Sequence, residues 1–178
     1  MNIANKLTLF RIIILPFFMV FALAKFKYSA IIAVLIFLVA SLTDLFDGYI
    51  ARKINQTTKW GKLMDPLADK LLISTALISL VEAGSVPAWA AIIIIGREFA
   101  VTGLRSLAAV ENIVISANNA GKIKMVAQIV AITALLLKIP FASIALYIAV
   151  IITVLSGYNY FRHYSFVINE IGGKKDEM

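Results

Sequence analysis

Four aspartates stand at fixed spacing within a 26-residue window, Asp44 and Asp47 three apart and Asp65 and Asp69 four apart. On a helix, each pair shares a face. They make up four of the ten acidic residues in the chain, and apolar sequence flanks each pair. Carboxylates gathered beside apolar surroundings repel one another and are costly to dehydrate. A bound divalent cation resolves both costs. Hard oxygen donors in this number suit Mg²⁺, Mn²⁺ or Ca²⁺, and a pair of ions is compatible with the donor count. Such ions would neutralise a phosphorylated substrate and polarise the attacked phosphorus, while a carboxylate not saturated by metal could take a proton from an attacking hydroxyl. Gly48 and Gly61 stand between the pairs, where backbone can approach a ligand or a neighbouring helix closely. The plain alternative is a set of solvated acids at helix ends, which gives no reason for this spacing.

A second group of residues points to phosphate. Arg105, Lys122 and Lys124, with Arg97 as a weaker fourth, could hold a phosphate on a second substrate. Arginine offers a bidentate fork to phosphate and lysine a point charge. Two structural readings stand beside this one. Arg97, Glu98 and Arg105 could form ion pairs, since Glu98 and Arg105 are seven apart and share a helical face. Lys122 and Lys124 could be interface lysines. Lys70 follows Asp69 but points elsewhere on the helix, so it is expected to matter little.

The elements that must carry these residues are membrane helices. The 178 residues are 61% hydrophobic, with a mean hydropathy of +0.92. Runs of about 20 apolar residues recur, each able to cross a bilayer as a helix. The pattern predicts an all-α integral membrane protein in one domain, residues 1–178, with six transmembrane helices over about 7–24, 28–50, 63–82, 86–110, 118–138 and 141–161. Residues 52–62 are expected to be a connecting loop, with Asp65 as a candidate N-cap of the third span. Arg11, inside the first span, either snorkels or binds something. Ala22-Leu23-Ala24 also fits a signal-peptide cleavage site. The aromatic and basic run from Tyr158 to Tyr164 reads as an interface belt, and the tail over 165–178 as frayed.

Charge sets the orientation. Of the seventeen lysines and arginines, only Lys25, Lys27 and Lys138 fall on one side. The positive-inside rule puts the other fourteen, both termini and all four aspartates in the cytoplasm. A formal charge of +7 suits anionic headgroups or phosphates rather than nucleic acid, because the basic residues are dispersed among apolar spans. There are no cysteines and one histidine, His163, so thiol chemistry and a histidine metal site are excluded.

The aspartate window resembles the signature of the CDP-alcohol phosphotransferase family: Asp-x2-Asp-Gly-x2-Ala-Arg-x8-Gly-x3-Asp-x3-Asp. Asp44, Asp47, Gly48, Ala51, Arg52, Gly61, Asp65 and Asp69 occupy every fixed position. Eight fixed residues are far more specific than a short motif. Asn5, Thr8, Arg11 and Pro16 are similar to the start of the family's first helix. The resemblance covers the whole chain, and it implies six membrane helices, usually in a homodimer, and transfer of a phosphatidyl group from CDP-diacylglycerol to an alcohol with release of CMP. By position it makes Asp44, Asp47 and Asp65 metal ligands for Mg²⁺ or Mn²⁺, two ions per subunit. Asp69 becomes the general base, placed near the second metal. Gly48, Ala51, Arg52 and Gly61 line the CDP-lipid site, with Asn5 and Thr8 near its phosphates or nucleoside.

Later residues are similar to one branch of the family. Gly96-Arg97-Glu98, Leu104-Arg105, and Gly121-Lys122-Ile-Lys124 with Gln128 resemble the branch that uses glycerol 3-phosphate and makes phosphatidylglycerophosphate. Arg105, Lys122 and Lys124 would then bind the acceptor phosphate, in a multi-pass enzyme of the cell membrane whose site faces the cytoplasm among membrane lipids. The same chemistry with inositol phosphate, serine or phosphatidylglycerol as acceptor is the first alternative. A divalent-cation transporter and a non-catalytic scaffold are alternatives of another class.

Overall fold

In a computed structural model, residues 3–54, 59–110 and 119–164 are described, with side chains over 7–43, 67–109 and 121–164. Six α-helices account for nearly all of them: α1 (Ile3–Leu23), α2 (Ser29–Ile54), α3 (Lys59–Glu82), α4 (Ala88–Val110), α5 (Asn119–Leu136) and α6 (Ala142–His163). No strand occurs among the described residues.

Three of the connections are tight turns, closed by backbone hydrogen bonds. After α3, Gly84 adopts φ 70°. Its N–H bonds the Val81 carbonyl at 3.0 Å, and the Ser85 N–H bonds Leu80 at 2.9 Å. This 5→2 and 6→1 pair terminates the helix with glycine at the left-handed position. The same pair of bonds ends α5, from Lys138 to Leu135 and from Ile139 to Ala134. Here a lysine, Lys138, takes the left-handed φ of 52°. Residues from the turns after α1, α3 and α5 line one common hollow, including Lys25, Ala83 and Lys138. The three turns therefore share one end of the bundle. The end of α4 and the start of α5 lie toward the other.

Buried side chains hold the bundle together. Phe18 on α1 and Phe37 on α2 are fully buried, with ring centroids 5.9 Å apart. Ala33, Ala40, Ala76 and Ala90 are buried beside them; such small residues let helix backbones approach closely. α1 packs on α2 and α3, α3 on α4, and α6 on both α4 and α5. A separate small cluster of Val101, Leu104, Ala108 and Tyr160 joins α4 to α6.

The outer surface is apolar in stripes. Phe10, Ile13, Phe17 and Val20 on α1, and Ile31, Leu35, Val39 and Leu42 on α2, are exposed at spacings of three and four. Water does not support an apolar surface this continuous, whereas hydrocarbon does. Among the described residues, α6 is the helix long and apolar enough to cross a membrane, and Leu7–Leu23 and Ser29–Thr43 are shorter apolar stretches.

The helices outrun several of the boundaries expected from apolarity. α2 continues to Ile54 and α3 begins at Lys59, so most of the expected loop over 52–62 is helical. Apolar runs mark where a helix can sit in lipid, but its hydrogen bonds continue through arginine and lysine, which are good helix formers. Asp65 accordingly lies inside α3 and is not its N-cap. The polar connection over 111–118 and the tail over 165–178 lie outside the described residues.

Candidate active site

At the end of the bundle away from the three turns, α3, α4, α5 and α6 enclose a cavity of about 220 Å³. That is roughly the space of seven liquid waters, too small for a lipid and large enough for a small polar molecule. Each helix contributes residues at helical spacing: Asp69, Lys70 and Ile73 from α3; Arg97, Glu98, Val101, Thr102 and Arg105 from α4; Gly121, Lys122, Lys124, Met125 and Gln128 from α5; Ser156 and Tyr160 from α6. Arg97, Val101 and Arg105 are four apart and form one stripe along α4. Among the described residues of this lining, five basic side chains stand with two acidic ones. The excess favours an anion.

The charges are held in a buried network. Glu98 is 5% exposed and Lys124 7%, and the Lys124 ammonium donates to Glu98 Oε1. Arg97 Nη1 lies 3.6 Å from the same oxygen. The Gln128 amide nitrogen donates to Thr153 Oγ1 at 3.1 Å and reaches Glu98 Oε1 at 3.4 Å. Arg97 Nη2 donates to Ser156 Oγ at 3.0 Å, and Ser156 donates in turn to the Thr153 carbonyl at 3.1 Å. One carboxylate thus gathers cations from α4 and α5, and α6 fixes the far side of the network. Buried charges require this kind of pairing.

Nearer the mouth, the exposed Arg105 guanidinium lies 5.9 Å from the centroid of the Tyr160 ring, within cation–π range. Lys122 is exposed on the first turn of α5. Lys70 Nζ lies 2.5 Å from Asp69 Oδ2, with the Asp69 side chain 28% exposed.

Asp69, Arg97, Arg105, Lys122 and Lys124, five of the residues singled out in the sequence, all line this one cavity. Asp44, Asp47, Gly48, Ala51 and Arg52 fall within α2, and Gly61 and Asp65 within α3. Their side chains, like that of Asn5 in α1, lie outside the described residues. Thr8 is buried in α1 and is not among the residues lining the cavity.

Several expectations change. Lys70 does not point away but pairs with its neighbour, because a long lysine side chain swings back across the 100° that separates adjacent helical positions. Lys124, read as either an interface lysine or a phosphate ligand, is buried against Glu98 and lines the cavity. Glu98 finds its main partner on α5 rather than at Arg105. Tyr160 is 6% exposed and lines the cavity, whereas Tyr158 in the same aromatic run faces outward. The four-residue spacing from Ser156 to Tyr160 was the available signal for that inward face.

Comparison with known proteins places the chain among lipid-modifying enzymes. It matches the model of a family described as CDP-alcohol phosphatidyltransferase over residues 1–155. It is 48% identical to the CDP-diacylglycerol--glycerol-3-phosphate 3-phosphatidyltransferase of Bacillus subtilis, over 90% of this chain and 93% of that protein. A protein of the same name from Rickettsia felis is 35% identical, over 90% of this chain and 94% of that one. The probable phosphatidylglycerophosphate synthase of Mycobacterium tuberculosis is 39% identical, over 97% and 84% respectively.

Proposed function

The chain belongs to the CDP-alcohol phosphatidyltransferase family, and on that premise we propose that it transfers the phosphatidyl group of CDP-diacylglycerol to glycerol 3-phosphate. The products are phosphatidylglycerophosphate and CMP. The observation that carries the acceptor is the basic cavity beside Asp69, which is sized for a small phosphorylated molecule.

Asp69 is the general base. Its carboxylate takes the proton of the acceptor hydroxyl as that oxygen bonds to the β-phosphorus of CDP-diacylglycerol, and the bond from that phosphorus to the CMP oxygen breaks. Direct attack without a covalent intermediate is favoured, because no side chain among the described lining residues stands out as a nucleophile. Lys70 orients the Asp69 carboxylate. Arg105 and Lys122, exposed at the mouth, take the acceptor phosphate. Lys124 and Arg97, tied to Glu98, supply fixed positive charge behind it.

Asp44, Asp47, Asp65 and Asp69 form a donor set of four carboxylates, which fits hard divalent cations. They would hold two Mg²⁺ or Mn²⁺ ions per subunit, which when bound neutralise the pyrophosphate and polarise its phosphorus. Gly48, Ala51, Arg52 and Gly61, with Asn5 and Thr8, form the CDP-lipid side of the site.

The same reading makes all six helices membrane spans of the cell membrane, with the cavity and both termini cytoplasmic and two copies forming a homodimer. The apolar outer stripes of α1 and α2 support the membrane setting, and the segregation of basic residues supports the orientation. A cation-transport role fits less well, since the aspartates stand beside Arg52 and a basic stretch that would repel an entering cation.

The test is CMP release by purified protein with CDP-diacylglycerol and Mg²⁺ or Mn²⁺, offering glycerol 3-phosphate, inositol phosphate and serine in parallel. Release with glycerol 3-phosphate alone is expected. Release with a different acceptor would overturn the acceptor assignment, and no release with any would overturn the enzyme reading.

A further inference from the structure

We propose that the last turns of α6 are the acceptor-selecting element of this enzyme, with Ser156 and Gly157 positioning Arg97 and Tyr160 contacting the acceptor. The inference rests on the phosphatidyl-transfer reading above. Ser156 and Tyr160 line the cavity and Gly157 lies against Arg97, so this face of α6 turns to the cavity cations rather than to lipid.

Three observations carry the assignment. Ser156 accepts a 3.0 Å hydrogen bond from Arg97 Nη2. Gly157 leaves room for the same side chain: a Cβ there would stand 3.0 Å from Arg97 Cγ, tight enough that the arginine stem would have to shift, and 3.5 Å from Arg97 Nε. The Arg97 stem therefore lies against bare backbone, clamped between Gly157 and the Ser156 hydroxyl. Tyr160 is the third. Its ring backs the Arg105 guanidinium at 5.9 Å, and its buried hydroxyl oxygen, near that guanidinium, makes no hydrogen bond of full geometry among the described residues. A buried hydroxyl without a partner is costly. A phosphate oxygen or hydroxyl of an acceptor in the cavity would satisfy it, beside the arginine best placed to take the same phosphate.

Selection follows from the same geometry. A site whose buried polar groups are paired only by the right ligand rejects ligands that cannot pair them. An acceptor that offers no oxygen at this point would leave the Tyr160 hydroxyl unpaired.

The test is steady-state kinetics on the full-length enzyme in mixed micelles, with wild type, Tyr160→Phe, Ser156→Ala and Gly157→Ala. KM for glycerol 3-phosphate, KM for CDP-diacylglycerol and kcat are read separately, with inorganic phosphate as a competitive probe of the acceptor site. Tyr160→Phe keeps the ring and removes one neutral hydrogen bond, so KM for glycerol 3-phosphate should rise by about two- to tenfold. The inhibition constant of phosphate should rise with it, while KM for CDP-diacylglycerol stays within about twofold. Gly157→Ala should show the same pattern more strongly, and Ser156→Ala more weakly. An unchanged acceptor KM in both Tyr160→Phe and Gly157→Ala would overturn the inference, as would equal losses toward both substrates. Wild-type enzyme inert to glycerol 3-phosphate would overturn the acceptor reading itself and this inference with it, an outcome distinct from active wild type with indifferent variants.

Discussion

Glu98→Gln probes the energetic centre of the site. The substitution keeps the side-chain shape and removes the negative charge that Lys124 and Arg97 both approach. Two buried cations from α4 and α5 then face each other with that counter-charge gone. Removing one partner of a buried pair costs roughly 3–5 kcal/mol. The Arg97 side chain retains 13% exposure and the cavity can admit water, so the lower bound of about 3 kcal/mol is the relevant figure. For a chain of this size, each kcal/mol moves the thermal midpoint by roughly 2–4 °C, giving a fall of roughly 6–12 °C. The assay is thermal unfolding in one detergent at fixed concentration, followed by tryptophan fluorescence. The double variant Glu98→Gln with Lys124→Met removes both charges and should recover most of the loss, since neutral replacements of a whole buried pair are often tolerated. A fall of under about 2 °C in the single variant, or a double variant no more stable than the single, would refute the claim that Glu98 holds these helices together.

Other substitutions separate chemistry from scaffolding. Asp69→Asn should lower kcat by about a hundredfold or more while CDP-diacylglycerol binding persists; single-turnover CMP release beside lipid-binding measurements would show whether it does. Arg105→Ala should raise KM for glycerol 3-phosphate by about tenfold with KM for the lipid unchanged, because a charge-assisted bond to phosphate is lost; an unmoved acceptor KM rejects its role. Lys70→Ala should lower kcat by roughly fivefold, the equivalent of about 1 kcal/mol for a partly exposed pair, and a wild-type rate would restore the view of Lys70 as a bystander. At the opposite end of the bundle, Lys138→Gly relieves a left-handed residue costing roughly 1 kcal/mol and should raise the thermal midpoint by about 2–4 °C without affecting turnover; an unchanged or lower midpoint counts against strain there.

The helical architecture was legible because it depends on local pattern. Apolar runs of sufficient length, broken at Lys25, at Gly84 and at Pro140, mark the helices and three of the turns, and the glycine in the left-handed position does what glycine alone does without strain. The boundaries around 52–62 were not legible, because lysine and arginine end an apolar run without ending a helix. Within the cavity, Asp69, Arg97, Arg105, Lys122 and Lys124 could be named from charge type and apolar setting, since a charge placed in a membrane helix demands an explanation wherever it sits.

Pairing was a different matter. Lys124 and Glu98 are 26 residues apart, and Gln128 and Thr153 are 25 apart, so no helical periodicity connects them. Only the packing of α4, α5 and α6 decides that Glu98 meets Lys124 rather than Arg105. Tyr160 shows the same limit from the other side. Its sequence neighbours made it one aromatic among several at a membrane interface, and the rotation of α6 against α4 turns it inward while leaving Tyr158 outside. Sequence determined which residues carry charge, where the apolar helical stretches lie and which charges stand near their ends, because these follow from composition and from spacing within one element. Tertiary structure decided which charges neutralise each other and which remain available to a substrate, because those facts depend on distances between elements that no single helix encodes.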